Sequence, residues 1–209
     1  MTIQNILLPN ATIAMDDTPM TKSSSGSSIN FAREDHNHQS PGGIVSITST
    51  KTVTNSIVET QLVGVTIPAN FLNVGTTFIV RASGAISTAS TAPVSTWRIR
   101  IGSYTLTGYI ITSTVPVVDK SLTQKPWSIQ VIITTTGTGT AGSFMGSGTI
   151  QGEYSTTLAQ AVKGLLPSPV VTPINTTVPL MLELTFQLGT ANAANTLVCY
   201  NAVIEVVKM

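Results

Sequence analysis

The sequence predicts an all-β chain: an antiparallel, jelly-roll-like β-sandwich head over residues 44–209, preceded by an extended N-terminal arm over residues 1–43. Three observations carry this. Thr, Val, Ile, Ser and Gly are abundant, the residues that suit pleated, half-buried surfaces and the turns between them. Short extended segments recur between turns at the spacing of a sandwich or barrel. No amphipathic helix of useful length separates them. Without crossover helices to join parallel strands, the sheets should be antiparallel.

The arm comes first. Ile3, Ile6, Leu7 and Leu8, then Ile13 and Met15, lie among turn formers, and residues 21–28 are a Ser-rich low-complexity run. Such a segment buries too little apolar area to fold alone, but its apolar pieces suit docking on a partner. Pro41-Gly42-Gly43 then breaks the chain. Strands are expected over 44–50, 57–67, 76–86, 95–101, 104–111, 127–135, 180–188 and 197–207. Weaker candidates run over 149–154 and 158–165, giving about eight to ten strands, the number of a jelly roll. Residues 158–164 also read as a helical turn. Two long loops, 113–125 and 167–179, are rich in Pro or Gly and sit where recognition usually sits on a β-scaffold.

The bulk numbers exclude several functions. Only 9% of the 209 residues are charged and the formal net charge is +1, so no basic stripe exists to neutralise nucleic-acid phosphates. Mean hydropathy is +0.31, yet Thr, Ser and Gly interrupt every apolar run, so no membrane insertion is expected. The first residues lack a basic region and an apolar core, which predicts no secretory signal. The single cysteine, Cys199, lies in an apolar run and reads as a small buried hydrophobe. So little charge on a soluble chain suggests surface covered by copies of itself or by a larger assembly.

Chemistry-bearing motifs are sparse. Gly137–Gly142 matches G-x-G-x-x-G, but glycines follow where a dinucleotide site needs a helix, so a glycine-rich turn or bulge is expected. The carboxylates are Asp16, Asp17, Glu34, Asp35, Glu59, Asp119, Glu153, Glu183 and Glu205, and no spacing among them favours the facing pair of a glycosidase. Glu183 and Glu205 lie in strand patterns, either paired or facing solvent. No catalytic residue is assigned, and the chain is read as non-enzymatic. Trp97 and Trp127 sit within strands and read as core or interface anchors.

The sharpest feature is His36-Asn37-His38, which holds both histidines of the chain. In an extended segment residues i and i+2 face one side, so both imidazoles point together. Two histidines are too few for a closed structural metal site, and no third exists to complete a cupin set. Three chains meeting on an axis would supply six imidazoles, enough for an octahedral divalent transition-metal ion per trimer.

Phe31-Ala32-Arg33-Glu34-Asp35-His36-Asn37-His38 resembles the A-R-x-D-H-x-H-P signature of bacteriophage tail fibres and related virion proteins. Gln39 stands where that signature has Pro. A weaker likeness covers residues 59–78, which resemble the T-x-L-x-x-x-x-I-P-A-N-x-L-x-V-G segment of phage structural proteins with jelly-roll heads. The resemblance implies a homotrimeric virion protein, with residues 1–43 docking onto other virion proteins and His36 and His38 binding metal on the axis. It implies a tail fibre or receptor-binding protein whose head takes a host-surface glycan. The alternatives are a capsid or tail decoration protein and, further off, a small tail-associated glycan hydrolase.

Overall fold

The computed structural model describes residues 44–103, 106–116, 118–154, 161–168 and 173–207. Every regular element within them is a strand. In chain order these are β1 (Ile44–Ser46), β2 (Lys51–Thr54), β3 (Thr60–Ile67), β4 (Thr77–Ser87), β5 (Ser95–Gly102) and β6 (Tyr109–Thr114). They continue with β7 (Lys125–Gly137), β8 (Ser143–Gly152), β9 (Ala161–Ser168), β10 (Leu180–Leu188) and β11 (Thr196–Val207).

The strands form two sheets, and every pairing is antiparallel. The larger has the order β1-β11-β4-β7-β8-β9, with β2 also on β11, and the smaller is β3-β10-β5-β6. The pairings are nested. β1 and β2 pair with β11, β3 with β10, β4 with β7, and β5 with β6. A long hairpin folded over on itself in this way, and split between two sheets, is a jelly roll. The β8–β9 hairpin is inserted before β10 and widens the larger sheet beyond β7.

Alternation places the core between the sheets. From the smaller sheet Trp97, Ile99 and Ile101 of β5 point inward with Leu182, Leu184 and Phe186 of β10, all fully buried. Phe78 and Val80 of β4 face them with Trp127, Ile129 and Val131 of β7, and Leu197, Cys199 and Ile204 of β11. Trp97 is the junction. Its ring centroid lies 4.5 Å from that of Trp127 and 4.6 Å from that of Phe186, both tilted, so one side chain joins the two sheets.

Most expected strands are present, and the departures have local causes. β6 begins at Tyr109, five residues later than the expected start at 104, and Gly102 and Gly108 abut where the chain reverses. β8 begins at Ser143 rather than 149, because Gly146 and Gly148 serve as strand residues. A Cβ at Gly146 would press on Ile111 Cγ2 at 2.6 Å, so the missing side chain admits a residue of the opposite sheet. The helical-turn reading of 158–164 gives way over Ala161–Gly164, which belong to β9 and pair with β8. Periodicity alone cannot reveal that an edge is available to accept a strand. The glycine-rich run closes the β7–β8 hairpin as expected, with a bulge between Thr135 and Gly137 and Gly139 at φ 91°, where an L side chain would be strained. Trp97, Trp127 and Cys199 are buried as expected.

Two substitutions test this core by urea unfolding. Trp97→Ala should cost about 3–5 kcal/mol, the usual loss for a buried tryptophan. Gly84→Ala should cost about 1–3 kcal/mol through overpacking, since a Cβ there would collide with the Val198 carbonyl and crowd the Trp127 ring at 2.9 Å.

Candidate functional site

The chain has few charges, and among the described residues Glu59, Arg98, Arg100 and Glu183 gather on one outer face of the sandwich and Arg81 and Glu205 on the other. On the smaller sheet, alternation turns Arg98 and Arg100 of β5 outward beside Thr185 and Gln187 of β10. Glu59 enters this face from the segment just before β3. Arg100 grips it with a fork, Nε on Oε1 at 2.6 Å and Nη2 on Oε2 at 2.8 Å. Arg98 donates Nη1 to Glu59 Oε2 at 3.0 Å and to Gln187 Oε1 at 2.8 Å. Thr185 Oγ1 donates to Glu59 Oε1. Glu183, only 1% exposed, accepts from Gln61 Nε2 at 2.8 Å and from the Leu106 N–H. Leu106 stands at φ 61°, a region rare for leucine, and this bond accompanies that conformation. Gly64 is the register partner of Glu183, and the Gln61 amide lies across it.

The two carboxylates of this cluster are tuned in opposite directions. Burial pushes Glu59 up, but hydrogen bonds from Arg100 and Thr185 and the charges of both arginines hold it below its ordinary value. Burial pushes Glu183 up, more than the bonds from Leu106 and Gln61 and the charge of Arg100 draw it down. With every partner satisfied inside the protein, this face acts as a clamp that fixes the 55–59 segment over the sheet.

The outer face of the larger sheet is different. Register aligns Asn201, Ser83, Ser128 and Gln151 in one row across β11, β4, β7 and β8. The next row is Val203, Arg81, Gln130 and Thr149. Together they line an open groove of about 340 Å³. That volume is at the lower end of small-ligand sites, which run about 300–1,000 Å³. Hydroxyls and carboxamides supply most of its polar atoms, each both donor and acceptor. Arg81 Nη1 lies 2.9 Å from both carboxylate oxygens of Glu205. This pair is 44% and 30% exposed, so it adds at most about 1 kcal/mol to stability, but it leaves the groove without net charge. A bulge in β11 inserts Tyr200 between buried Cys199 and groove-lining Asn201, and its side chain is 55% exposed. One end of the same face is aliphatic: half-buried Ile79 with Ile132, Met145 and Val207, the last three 45–46% exposed.

Glu59 and Glu183 share the clamp, but Glu153, Glu183 and Glu205 are held by different partners. Glu183 and Glu205 are on the outer faces of opposite sheets, and Glu153 pairs with Lys125 Nζ at 2.9 Å. Cys199 is fully buried, and burial pushes its thiol up to about 11, so it stays protonated at neutral pH. Among the described residues, no group of three or more His, Cys, Asp or Glu is placed to hold a metal ion. His36 and His38 lie outside the described residues. The groove residues were not singled out by the sequence. Their outward position is legible in the alternation of each strand, but their assembly depends on which strands are neighbours.

No protein-family model matches the chain, and no curated protein matches it. Similar solved structures include the CBM2 module of the evolved Dit of Lactobacillus casei BL23 phage J-1, at 12% identity and TM-score 0.32 over 70% of this chain and 69% of that one. The infectious bursal disease virus Gx strain structure matches at 10% identity and TM-score 0.34 over 88% of this chain, which spans only 37% of that one. Arcelin-5, a lectin-like defence protein of Phaseolus vulgaris, matches at 7% identity and TM-score 0.37 over 80% of this chain and 99% of its own.

The clamp on the smaller sheet makes a pH-dependent prediction. Glu59 is held below its ordinary value, so its contribution is present above about pH 4.3 and lost as pH falls through the lower folded value. Glu59→Gln should therefore cost about 1.5–3 kcal/mol at neutral pH, with the difference from wild type shrinking in acid. Glu183 is raised, so its contribution is fullest below the ordinary value and fades as pH rises through the folded one. Glu183→Gln should show its largest deficit in acid. Urea midpoints of the three proteins across acid to neutral pH check both slopes.

Proposed function

We propose that this chain is a non-enzymatic bacteriophage virion structural protein, a homotrimeric tail fibre or receptor-binding protein. Residues 1–43 anchor it to other virion proteins and the jelly-roll head binds a host-surface glycan. The observation that carries the recognition role is the groove: a surface of hydroxyl and amide groups without net charge on a paired sheet, on a chain in which only 9% of residues are charged. The fibre-like segment 31–38 supports the virion setting. Separation of Glu153, Glu183 and Glu205, each engaged by a hydrogen-bond donor, supports a binding role over glycan hydrolysis. In the same reading His36 and His38 of three chains hold one divalent transition-metal ion on the axis.

A second reading, decoration of a capsid or tail, is favoured by the aliphatic end of the large sheet, where Ile132 and Met145 suit a protein surface better than a sugar.

Two measurements test the proposal. Light scattering with metal analysis of the same peak should give a trimer carrying about one metal ion per three chains, with the metal lost in His36→Ala/His38→Ala. A metal-free monomer would sink the fibre reading. Pull-down on host polysaccharide and on purified virions lacking this protein should show glycan retention. Virion binding with no glycan retention would favour decoration.

A further inference from the structure

We propose that the groove on the larger sheet is a subsite for a neutral oligosaccharide, with Tyr200 as its stacking platform and the Arg81–Glu205 pair as a filter against acidic sugars. This rests on the glycan-binding reading above and deepens it.

The groove runs across four paired strands, β11, β4, β7 and β8. Beyond β11 lie β1 and β2, and beyond β8 lies β9. The lining strands are thus interior to the sheet, and their ladders are taken except at the short bulge Tyr200–Asn201, which lies between the β2 and β1 pairings of β11. A peptide strand finds no open ladder of useful length there and could not dock by adding to the sheet. Any ligand must be recognised by side chains. Those present are matched to sugar hydroxyls, which like Ser83, Ser128 and Thr149 both donate and accept, and which a carboxamide such as Gln151 can bridge. Neighbouring strands are about 4.8 Å apart, so the rows extend about 14 Å, the reach of a short oligosaccharide rather than of one ring.

Tyr200 supplies what hydroxyls and amides lack. One face of a pyranose ring presents C–H groups and packs against an aromatic ring. Trp97 and Trp127 are buried and unavailable for this. The bulge in β11 instead brings an exposed aromatic out directly beside Asn201, which lines the groove. Without the inserted residue, strict alternation after buried Cys199 would leave no room for two successive side chains on the outer face.

Selectivity follows from charge. Arg81 is the groove's one cation, and both oxygens of Glu205 are already on its Nη1. A uronate or sialate carboxylate would reach the remaining N–H groups of Arg81 only with the Glu205 carboxylate beside it, and the two like charges repel. A neutral sugar meets no such repulsion and can still use the remaining guanidinium N–H groups as donors.

The test uses the full chain on an array of neutral and uronate- or sialate-bearing oligosaccharides. Circular dichroism and urea midpoints check that each variant is folded. Wild type should bind neutral sugars. Tyr200→Ala should bind them about tenfold more weakly. Ser128→Arg should block the groove and abolish binding. Glu205→Gln should gain acidic sugars, more so at low ionic strength. Neutral binding that survives both Tyr200→Ala and Ser128→Arg would overturn the site while leaving glycan recognition intact. A wild type that binds only acidic sugars would overturn the filter. A wild type that binds no glycan would overturn the glycan reading itself, and this inference with it.

Discussion

The sandwich depends on the contact of Trp97 with Trp127 and Phe186. β5 and β10 place Trp97 and Phe186 side by side as register partners, and β7 brings Trp127 from the opposite sheet. Aromatic side chains bury about 150–250 Å² each, so this cluster carries a large share of the apolar area that holds the sheets together. It also has a cost. Neither indole N–H has a hydrogen-bond partner among the described residues, and an unsatisfied buried donor costs about 1–3 kcal/mol. That the arrangement persists shows how strongly packing outweighs polar satisfaction at this point. Gly84 belongs to the same contact, because only a residue without a side chain lets β4 pass over the Trp127 ring.

With the core settled, the outer faces are free to differ. The smaller sheet gathers Glu59, Arg98, Arg100 and Glu183 into a network closed on itself. Such a network holds a connection in place and leaves little for a ligand. The larger sheet leaves its hydroxyls and amides open to solvent and neutralises its one arginine. One face is thus a lock and the other an open polar surface, and the contrast comes from whether the outward residues find partners inside the chain.

Strand β10 illustrates how much was legible beforehand. Its alternation, LMLELTFQL, marks Leu182, Leu184 and Phe186 as inward and Glu183, Thr185 and Gln187 as outward, and its bounds agree with the structure. β8 illustrates the opposite. Its glycines weaken the strand pattern, and their purpose appears only when Ile111 is seen filling the space that Gly146 leaves. The β11 bulge is equally silent: nothing local in Val198-Cys199-Tyr200-Asn201 says that two successive side chains escape the core.

The sequence by itself determined the fold class, the antiparallel character, the burial of both tryptophans and of Cys199, and the near absence of charge. These follow from composition and from a period of two along each strand, which are local properties. The tertiary structure alone decided that Glu59 meets Arg98 and Arg100, that Arg81 meets Glu205, and that Asn201, Ser83, Ser128 and Gln151 stand in one row. Those residues are far apart in the chain. The nested pairing of a jelly roll, with its bulges shifting register by single residues, is what brings them to one place.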